Sequence, residues 1–379
     1  MAVPVLQQVR NGLAFRRAYA GNEGMPVSFL ILQMTKACNC KCEMCSIWAM
    51  DHKGEMTLEE YGRLFRDPLF RELEVLSLTG GEPFIRKDFA DICKLAQDTF
   101  PRLKVISCPS NGVLGQLIIP AVAKVLETIR PDVFFKLGIS VDGFEEAHNK
   151  VRGIPTAYKR ALETFEKLSQ VEHPNFSVGL LSLVVKESIP HLDSVYDHFL
   201  KYTEHQTYTL MMIADFFGNS GNVEPYTAEE KETIRRFMAR LKKLQPQKAY
   251  MYDNMMAQME TGRRGYPCVA GYRTAYVDSR GNLFPCHYLP ENEYRVGGLR
   301  DEGTLEQAWN SEHAAALRQK MKSSPVCASC SNNCDMINTI REEFFDFAKY
   351  SFMHPIQTLR GIAQTTRNPK LLKRYTLAR

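Results

Sequence analysis

Between about residues 28 and 215, short apolar runs alternate with longer stretches in which apolar positions recur every three or four residues. This is the rhythm of parallel strands joined by amphipathic crossover helices. Runs at 28–35, 73–78, 103–108, 133–141, 176–185 and 208–214 read as strands, each followed by a helix. The first helix carries its own start signal, because Thr57 and Glu60 have the spacing at which a hydroxyl and a carboxylate satisfy unpaired N–H groups reciprocally. Residues 227–244 read as a further amphipathic helix. Past residue 262 glycine and proline become dense and the periodicity fails, so a second, irregular unit is expected there. The class expected is α/β, with six βα units.

Composition narrows the picture. A chain of 379 residues is long enough to bury a sizeable core without disulfides, and 24% charged with 44% hydrophobic residues describes an ordinary globular protein. A net charge of +5 does not by itself imply nucleic acid, and no nucleic-acid partner is expected. The apolar stretches fall short of the ~18 residues a membrane span needs. The N-terminus lacks the order of a signal peptide, so a cytoplasmic, reducing location is expected. The eleven cysteines are clustered, with four between Cys38 and Cys45 and five between Cys268 and Cys334, which points to metal rather than to a disulfide framework.

Cys38, Cys42 and Cys45 form Cys-x3-Cys-x2-Cys directly after the first strand, where the end of a barrel strand carries a site-forming loop. Three thiolates leave one iron of a four-iron cube open to a cofactor or substrate. The same spacing also suits a buried helical cysteine stripe or part of a zinc site. One βα unit later comes Thr79-Gly80-Gly81-Glu82-Pro83, followed by Ser110-Asn111-Gly112 after the third strand. Ile139-Ser140-Val141-Asp142-Gly143, with His148 and Arg152, follows the fourth.

Together these segments resemble the radical S-adenosylmethionine (radical SAM) superfamily. The resemblance implies a partial (β/α)6 TIM-like barrel with a [4Fe-4S] cluster on Cys38, Cys42 and Cys45. It also implies S-adenosylmethionine held with the help of Gly80, Gly81, Glu82, Asn111, Ser140 and Arg152. In that family the glycines let the backbone approach the cofactor, and the serine and arginine help hold its ribose and carboxylate. One electron then cleaves the sulfonium to a 5′-deoxyadenosyl radical, which takes hydrogen from an unactivated carbon. A flavodoxin or ferredoxin-type reductant and oxygen sensitivity are implied. Two departures stand out: Met44 occupies a position that is usually aromatic, and the extra thiol of Cys40 lies inside the motif, where it is expected to face away as a small hydrophobe. Cys93 and Cys108 read as core residues, and Arg152 has a second reading as a solvated helix-start residue.

Downstream, Cys268, Gly281-x4-Cys286 and Cys327-x2-Cys330-x3-Cys334 resemble the SPASM and twitch extensions of the superfamily, which carry auxiliary iron–sulfur clusters. The full pattern needs seven cysteines and five are present, so one auxiliary [4Fe-4S] cluster is expected. Its expected ligands are Cys268, Cys286, Cys327 and Cys330, with Cys334 able to replace one of the last two. The domains expected are a basic amphipathic segment at 1–27, the radical SAM core at 28–225, a linker helix region at 226–261, the auxiliary domain at 262–337 and a basic helical tail at 338–379.

After Asp346 the chain has no acidic residue and seven basic ones, interleaved with aromatic and apolar positions. Such a tail suits an anionic membrane surface and a lipid or lipid-linked substrate, or else packs against the body of the protein. The run 5–19, with Arg10, Arg16 and Arg17, has a similar character. Peptide crosslinking or oxidation is the alternative activity. Only 37 residues precede Cys38, too few for a winged-helix leader-binding domain or a cobalamin domain, so cobalamin methylation is disfavoured. A zinc-stabilised binding protein is the non-enzyme alternative. The sequence singles out no catalytic acid, base or radical-quenching residue.

Overall fold

The computed structural model describes residues 5–219, 221, 223–289, 291–330 and 333–367. The chain divides into two units: residues 26–225 with 275–309, and residues 1–25, 226–274 and 310–379.

The first unit is built on six parallel strands: β1 Phe29–Thr35, β2 Val75–Gly80, β3 Val105–Ser110, β4 Phe134–Ser140, β5 Phe176–Val184 and β6 Gln206–Leu210. They lie side by side in chain order, as successive right-handed crossovers dictate. Helices cover them, so β1 is buried along its whole length and reads as a continuous apolar run. The first helix, Leu58–Phe65, starts as its sequence predicts: Thr57 N–H donates to Glu60 Oε2 at 2.9 Å, and Glu60 N–H to Thr57 Oγ1 at 3.3 Å. Two helices, Glu145–Arg152 and Ala157–Ser169, follow β4 where one was expected, because Gly153 adopts φ +67° and ends the first. Residues 275–309 extend the sheet beyond β1 with β7 Thr274–Val277, β8 Asn282–Phe284 and β9 Gly297–Gly298. β8 runs antiparallel to both its neighbours. Strands of four, three and two residues are too short to leave an alternating pattern in the sequence.

β6 ends at Leu210, four residues before its expected limit. Asn219 takes over from there: its Oδ1 accepts from Ala214 N–H at 2.9 Å and its Nδ2 donates to Met212 O at 3.0 Å, folding the chain out of the ladder.

The second unit is helical, with Val5–Gly21, Ala228–Leu244, Ala249–Thr261, Glu312–Ser323, Asn333–Glu342, Phe344–Met353 and Pro355–Arg367 as its longer members. The N-terminal helix is packed rather than free. Phe15 is buried and meets Tyr272 edge-on, Arg16 pairs with Glu343 at 2.5 Å, and Gly12 lies against the Phe345 ring. Among the described residues no helix is long and apolar enough to cross a membrane.

Two glycines show how closely the barrel loops are stacked. A Cβ on Gly81 would lie 2.2 Å from Ala37 O, inside the approach to the first cysteine, and one on Gly80, at φ +131°, would lie 2.2 Å from Thr35 O. The space that glycine leaves at both positions is filled by the protein's own backbone. Gly81→Ala is therefore expected to cost roughly 1–3 kcal/mol by overpacking. Gly262→Ala, at φ +66° with nothing within 4 Å, should cost only about 1 kcal/mol of backbone strain. Urea midpoints of the two variants check this, and equal losses would contradict the packing account.

Candidate functional site

The cysteines of the first cluster lie on a loop with little regular structure, so its backbone polar groups need partners elsewhere. They find them on four connections, those after β2, β3, β4 and β6. Beyond the end of β1, Gly81 N–H donates to Thr35 O at 2.8 Å and Glu82 N–H to Ala37 O at 2.9 Å, so the loop after β2 continues the ladder into the cysteine loop. Asn111, after β3, donates through Nδ2 to Asn39 Oδ1 at 2.9 Å. The end of the helix after β4 accepts Lys41 N–H at Arg152 O (3.2 Å) and Glu43 N–H at Val151 O (3.0 Å). A Cβ on Gly153 would lie 2.7 Å from Lys41 O. After β6, Phe217 O accepts from Ser46 N–H at 2.6 Å and Asn219 Nδ2 donates to Met44 O at 3.1 Å.

These tethers gather the thiols. Cys38, Cys40, Cys42, Met44 and Cys45 share one packed cluster with Val113, Val151, Ala157 and Val185. Cys40 does not face away: it is buried in this cluster beside Cys38 and Cys42, and its Sγ accepts from Asn39 Nδ2 at 3.7 Å. An irregular loop has no alternation that would turn an intervening side chain outward. Hydrogen bonding from Cys40 lowers the Cys38 thiol and takes Cys42 down to about 7 against the opposing effect of burial. The nearby Arg152 charge also lowers Cys42, with Nη1 lying 3.9 Å from its sulfur. Burial pushes Cys45 up to about 12.

Glu82 is fully buried, and its carboxylate is a junction between two loops. Oε1 accepts from Ser110 Oγ at 3.0 Å and Phe84 N–H at 3.4 Å, and Oε2 accepts from Asn111 N–H at 2.8 Å. Three of its roughly four acceptor sites are thus taken by the chain itself. Burial raises its pKa to about 7, and the three donors only partly oppose the shift.

Arg152 is not a solvated helix-start residue. It is the last residue of its helix, with its side chain 11% exposed, and it grips Asp142 with two bonds, Nε to Oδ2 at 2.7 Å and Nη2 to Oδ1 at 3.0 Å. Burial would raise the Asp142 carboxyl, but the guanidinium outweighs it and holds that group well below the usual range. Asp142 N–H in turn donates to Nδ1 of the buried, neutral His148 at 3.1 Å. Ser140, half-buried at the end of β4, has no side-chain hydrogen bond among the described residues.

Of the second set of cysteines, Cys268, Cys327 and Cys330 belong to the helical unit. Their loops are tied together there: Arg264 N–H donates to Ala328 O at 2.6 Å, and Gln258 Nε2 to Ser329 O at 2.7 Å. Burial opposes the charge of Arg264, yet Cys268, Cys330 and Cys327 raise its pKa, which places the guanidinium within electrostatic range of all three. Cys286 follows β8 in the barrel unit, and its sulfur accepts from Tyr288 N–H at 3.5 Å. The side chain of Cys334 lies outside the described residues. Each cysteine whose side chain is described is a free thiol, and Cys93 and Cys108 are buried in the core as expected.

The donor set fits an iron–sulfur cube. Cys38, Cys42 and Cys45 are gathered in one packed cluster, and thiolates are the ligands such a cube takes. Residues 32–199 match the radical SAM superfamily model, and residues 268–335 match that of the SPASM iron–sulfur cluster-binding domain. The chain is a radical SAM/SPASM enzyme. Its first domain implies a [4Fe-4S] cluster with S-adenosylmethionine and its second implies auxiliary iron–sulfur clusters. A reductant and a substrate are therefore required.

The AdoMet-dependent heme synthase of Methanosarcina barkeri (strain Fusaro / DSM 804) is 24% identical, over 79% of this chain and 86% of that protein. The structure of native anSMEcpe with bound AdoMet superposes with a TM-score of 0.56 at 19% identity, covering 88% of this chain and 100% of its own. Streptococcus suis SuiB bound to its precursor peptide SuiA gives 0.60 at 14%, covering 86% and 75%. These two likenesses establish the fold, a partial (β/α)6 barrel with parallel strands.

The Glu82 junction generates a pH dependence with a definite sign. Its folded pKa of about 7 exceeds the ordinary 4.5, so the folded state binds the extra proton and loses stability as pH rises through that window. In cluster-free protein, the stability difference between Glu82→Gln and the parent should shift in favour of the variant by roughly 2–3 kcal/mol between about pH 5 and about pH 8. Urea titrations at the two pH values measure it, and a parallel pair of curves would contradict the shift.

Proposed function

We propose that the chain reductively cleaves S-adenosylmethionine and abstracts hydrogen from an unactivated carbon of a substrate still to be identified, with a lipid or lipid-linked compound as the first candidate to assay. One observation carries the reductive step: the triplet loop is tethered edge to edge with the loops bearing Glu82, Asn111 and Arg152, so the residues expected to hold cluster and cofactor meet at one end of the sheet. When bound, cluster and cofactor would together supply one-electron reductive cleavage of the sulfonium, the chemistry that makes an unactivated carbon–hydrogen bond accessible.

The protein's own share is positioning and the exclusion of water. Cys38, Cys42 and Cys45 would ligate the cluster, and Gly80, Gly81, Glu82, Asn111, Ser140 and Arg152 would hold S-adenosylmethionine, with Asn111 also tying its own loop to the cysteine loop through Asn39. The packed surround of Met44, Val113, Val151 and Val185 keeps the loop dry. Electrons come from a flavodoxin or ferredoxin-type partner in the cytoplasm. Cys268, Cys286, Cys327 and Cys330 carry one auxiliary [4Fe-4S] cluster, with Cys334 in reserve.

Peptide modification is the second reading. SuiB was solved with a precursor peptide, and this chain follows that fold over 86% of its length. Assays that offer candidate lipids and peptides in parallel decide between the two, the true substrate being the one that consumes 5′-deoxyadenosyl equivalents in step with product.

Anaerobically reconstituted protein should hold about eight irons, and with dithionite it should release 5′-deoxyadenosine. Replacing Cys38, Cys42 and Cys45 together by alanine should remove about four irons and abolish that release. Release that persists in the triple variant would overturn the assignment. Cys334→Ala should keep the full auxiliary iron, whereas loss of iron there would make Cys334 an obligatory ligand.

A further inference from the structure

The helical unit carries an apolar stripe that its own packing leaves uncovered. Phe352 and Met353, at the end of the helix Phe344–Met353, are 88% and 62% exposed, and in the next helix, Pro355–Arg367, Ile356, Leu359 and Ile362 are 67%, 65% and 48% exposed. The opposite face of that helix is the packed one. Gly361 lies against Pro246 O and Gln247, Gln357 Nε2 donates to Lys242 O at 2.8 Å, and Thr365 is buried. The stripe is therefore a solvent-facing surface of an ordered helix, and large apolar side chains in such a row mark a docking site.

Charge identifies the occupant. From Phe347 onward the sequence has no acidic residue, and exposed Lys349 and Arg360 flank the stripe. Arg360 also lines a cleft of about 610 Å³ shared with Arg235, Lys242, Lys243, Asp253 and Glu260. Lys242 is held by Asp253 at 2.7 Å and Arg235 by Glu232 at 2.7 Å, while Lys243 and Arg360 have no carboxylate partner among the described residues. The cleft lining has four cations against two carboxylates, so a second copy docked through this face would oppose net positive charge to net positive charge. An anionic bilayer meets both demands, with acyl chains for the stripe and phosphates for the flanking cations.

We propose that Phe352, Met353, Ile356, Leu359 and Ile362 dock on the surface of an anionic bilayer, with Lys243 and Arg360 taking lipid phosphates. This surface does not depend on the cysteine chemistry, so it stands or falls separately from cofactor cleavage.

The test is flotation of the cluster-loaded, full-length protein with vesicles of phosphatidylcholine alone or mixed with phosphatidylglycerol. The parent should float with the mixed vesicles and not with the neutral ones. Ile356→Ser with Leu359→Ser and Ile362→Ser should lower the bound-to-free ratio at least about tenfold, and Lys243→Gln with Arg360→Gln roughly fivefold per charge. Raising salt from about 0.1 to about 1 M, which shortens the Debye length from about 10 to about 3 Å, should weaken the parent more than the charge variant. Both variants should release 5′-deoxyadenosine as the parent does, showing that they are folded. Failure of the parent to float, or flotation unchanged in the serine variant, would overturn the proposal. So would a parent dimer that the serine substitutions convert to monomer, since a second copy would then be the occupant.

Discussion

A loop that carries several cysteines close together faces a conflict between rigidity and composition. It must hold several thiols at fixed separations, yet it has too little secondary structure to fix itself. This chain resolves the conflict by completing the loop's main-chain hydrogen bonds on its neighbours. Bonds from Gly81, Glu82, Lys41, Glu43 and Ser46, with the side-chain amides of Asn111 and Asn219, fasten it to the ends of β2, β3 and β6 and to the helix after β4. At about 1 kcal/mol for a typical net contribution, no single bond decides the geometry. Spread over four connections, they leave the loop no cooperative way to move without disturbing several strand ends at once.

The electrostatics follow from that arrangement. Bringing Arg152 to the loop places a buried guanidinium beside Cys42, and a buried cation needs a partner. Asp142 supplies one through two bonds, and its backbone is in turn fixed by neutral His148. Glu82 is the opposite case, a buried carboxylate satisfied by hydroxyl and amide donors, which is why its pKa rises where that of Asp142 falls. Two acids, on the loops after β2 and β4, are thus set apart by what faces them.

Much of this was legible beforehand. Burial on both faces makes the strands read as apolar runs, and β1 to β5 begin within two residues of where those runs begin. The Thr57–Glu60 box marked a helix start because both partners are side chains three residues apart. What stayed hidden shares one cause. Main-chain tethers have no residue signature, and the turn at Asn219 that shortens β6 is made by one amide in a loop. The ion pair of Arg152 joins residues ten apart across a turn, and the position of Cys40 depends on a path with no repeat. The short strands β7 to β9 escaped for want of length.

Fastening through peptide groups also sets how much latitude the cysteine loop has for change. An amide N–H or carbonyl is offered by nearly any residue, so most side chains between the cysteines are free to vary without loosening the scaffold; a thioether at position 44 in place of a ring is one such variation. The exceptions are the points where the fastening is not generic: the glycines at 80, 81 and 153, whose missing carbon makes room for a carbonyl, and the asparagines at 39, 111 and 219, whose amides reach across. Sequences that drift far apart can therefore share this architecture, because the information that preserves it resides in a handful of positions rather than in the loop as a whole.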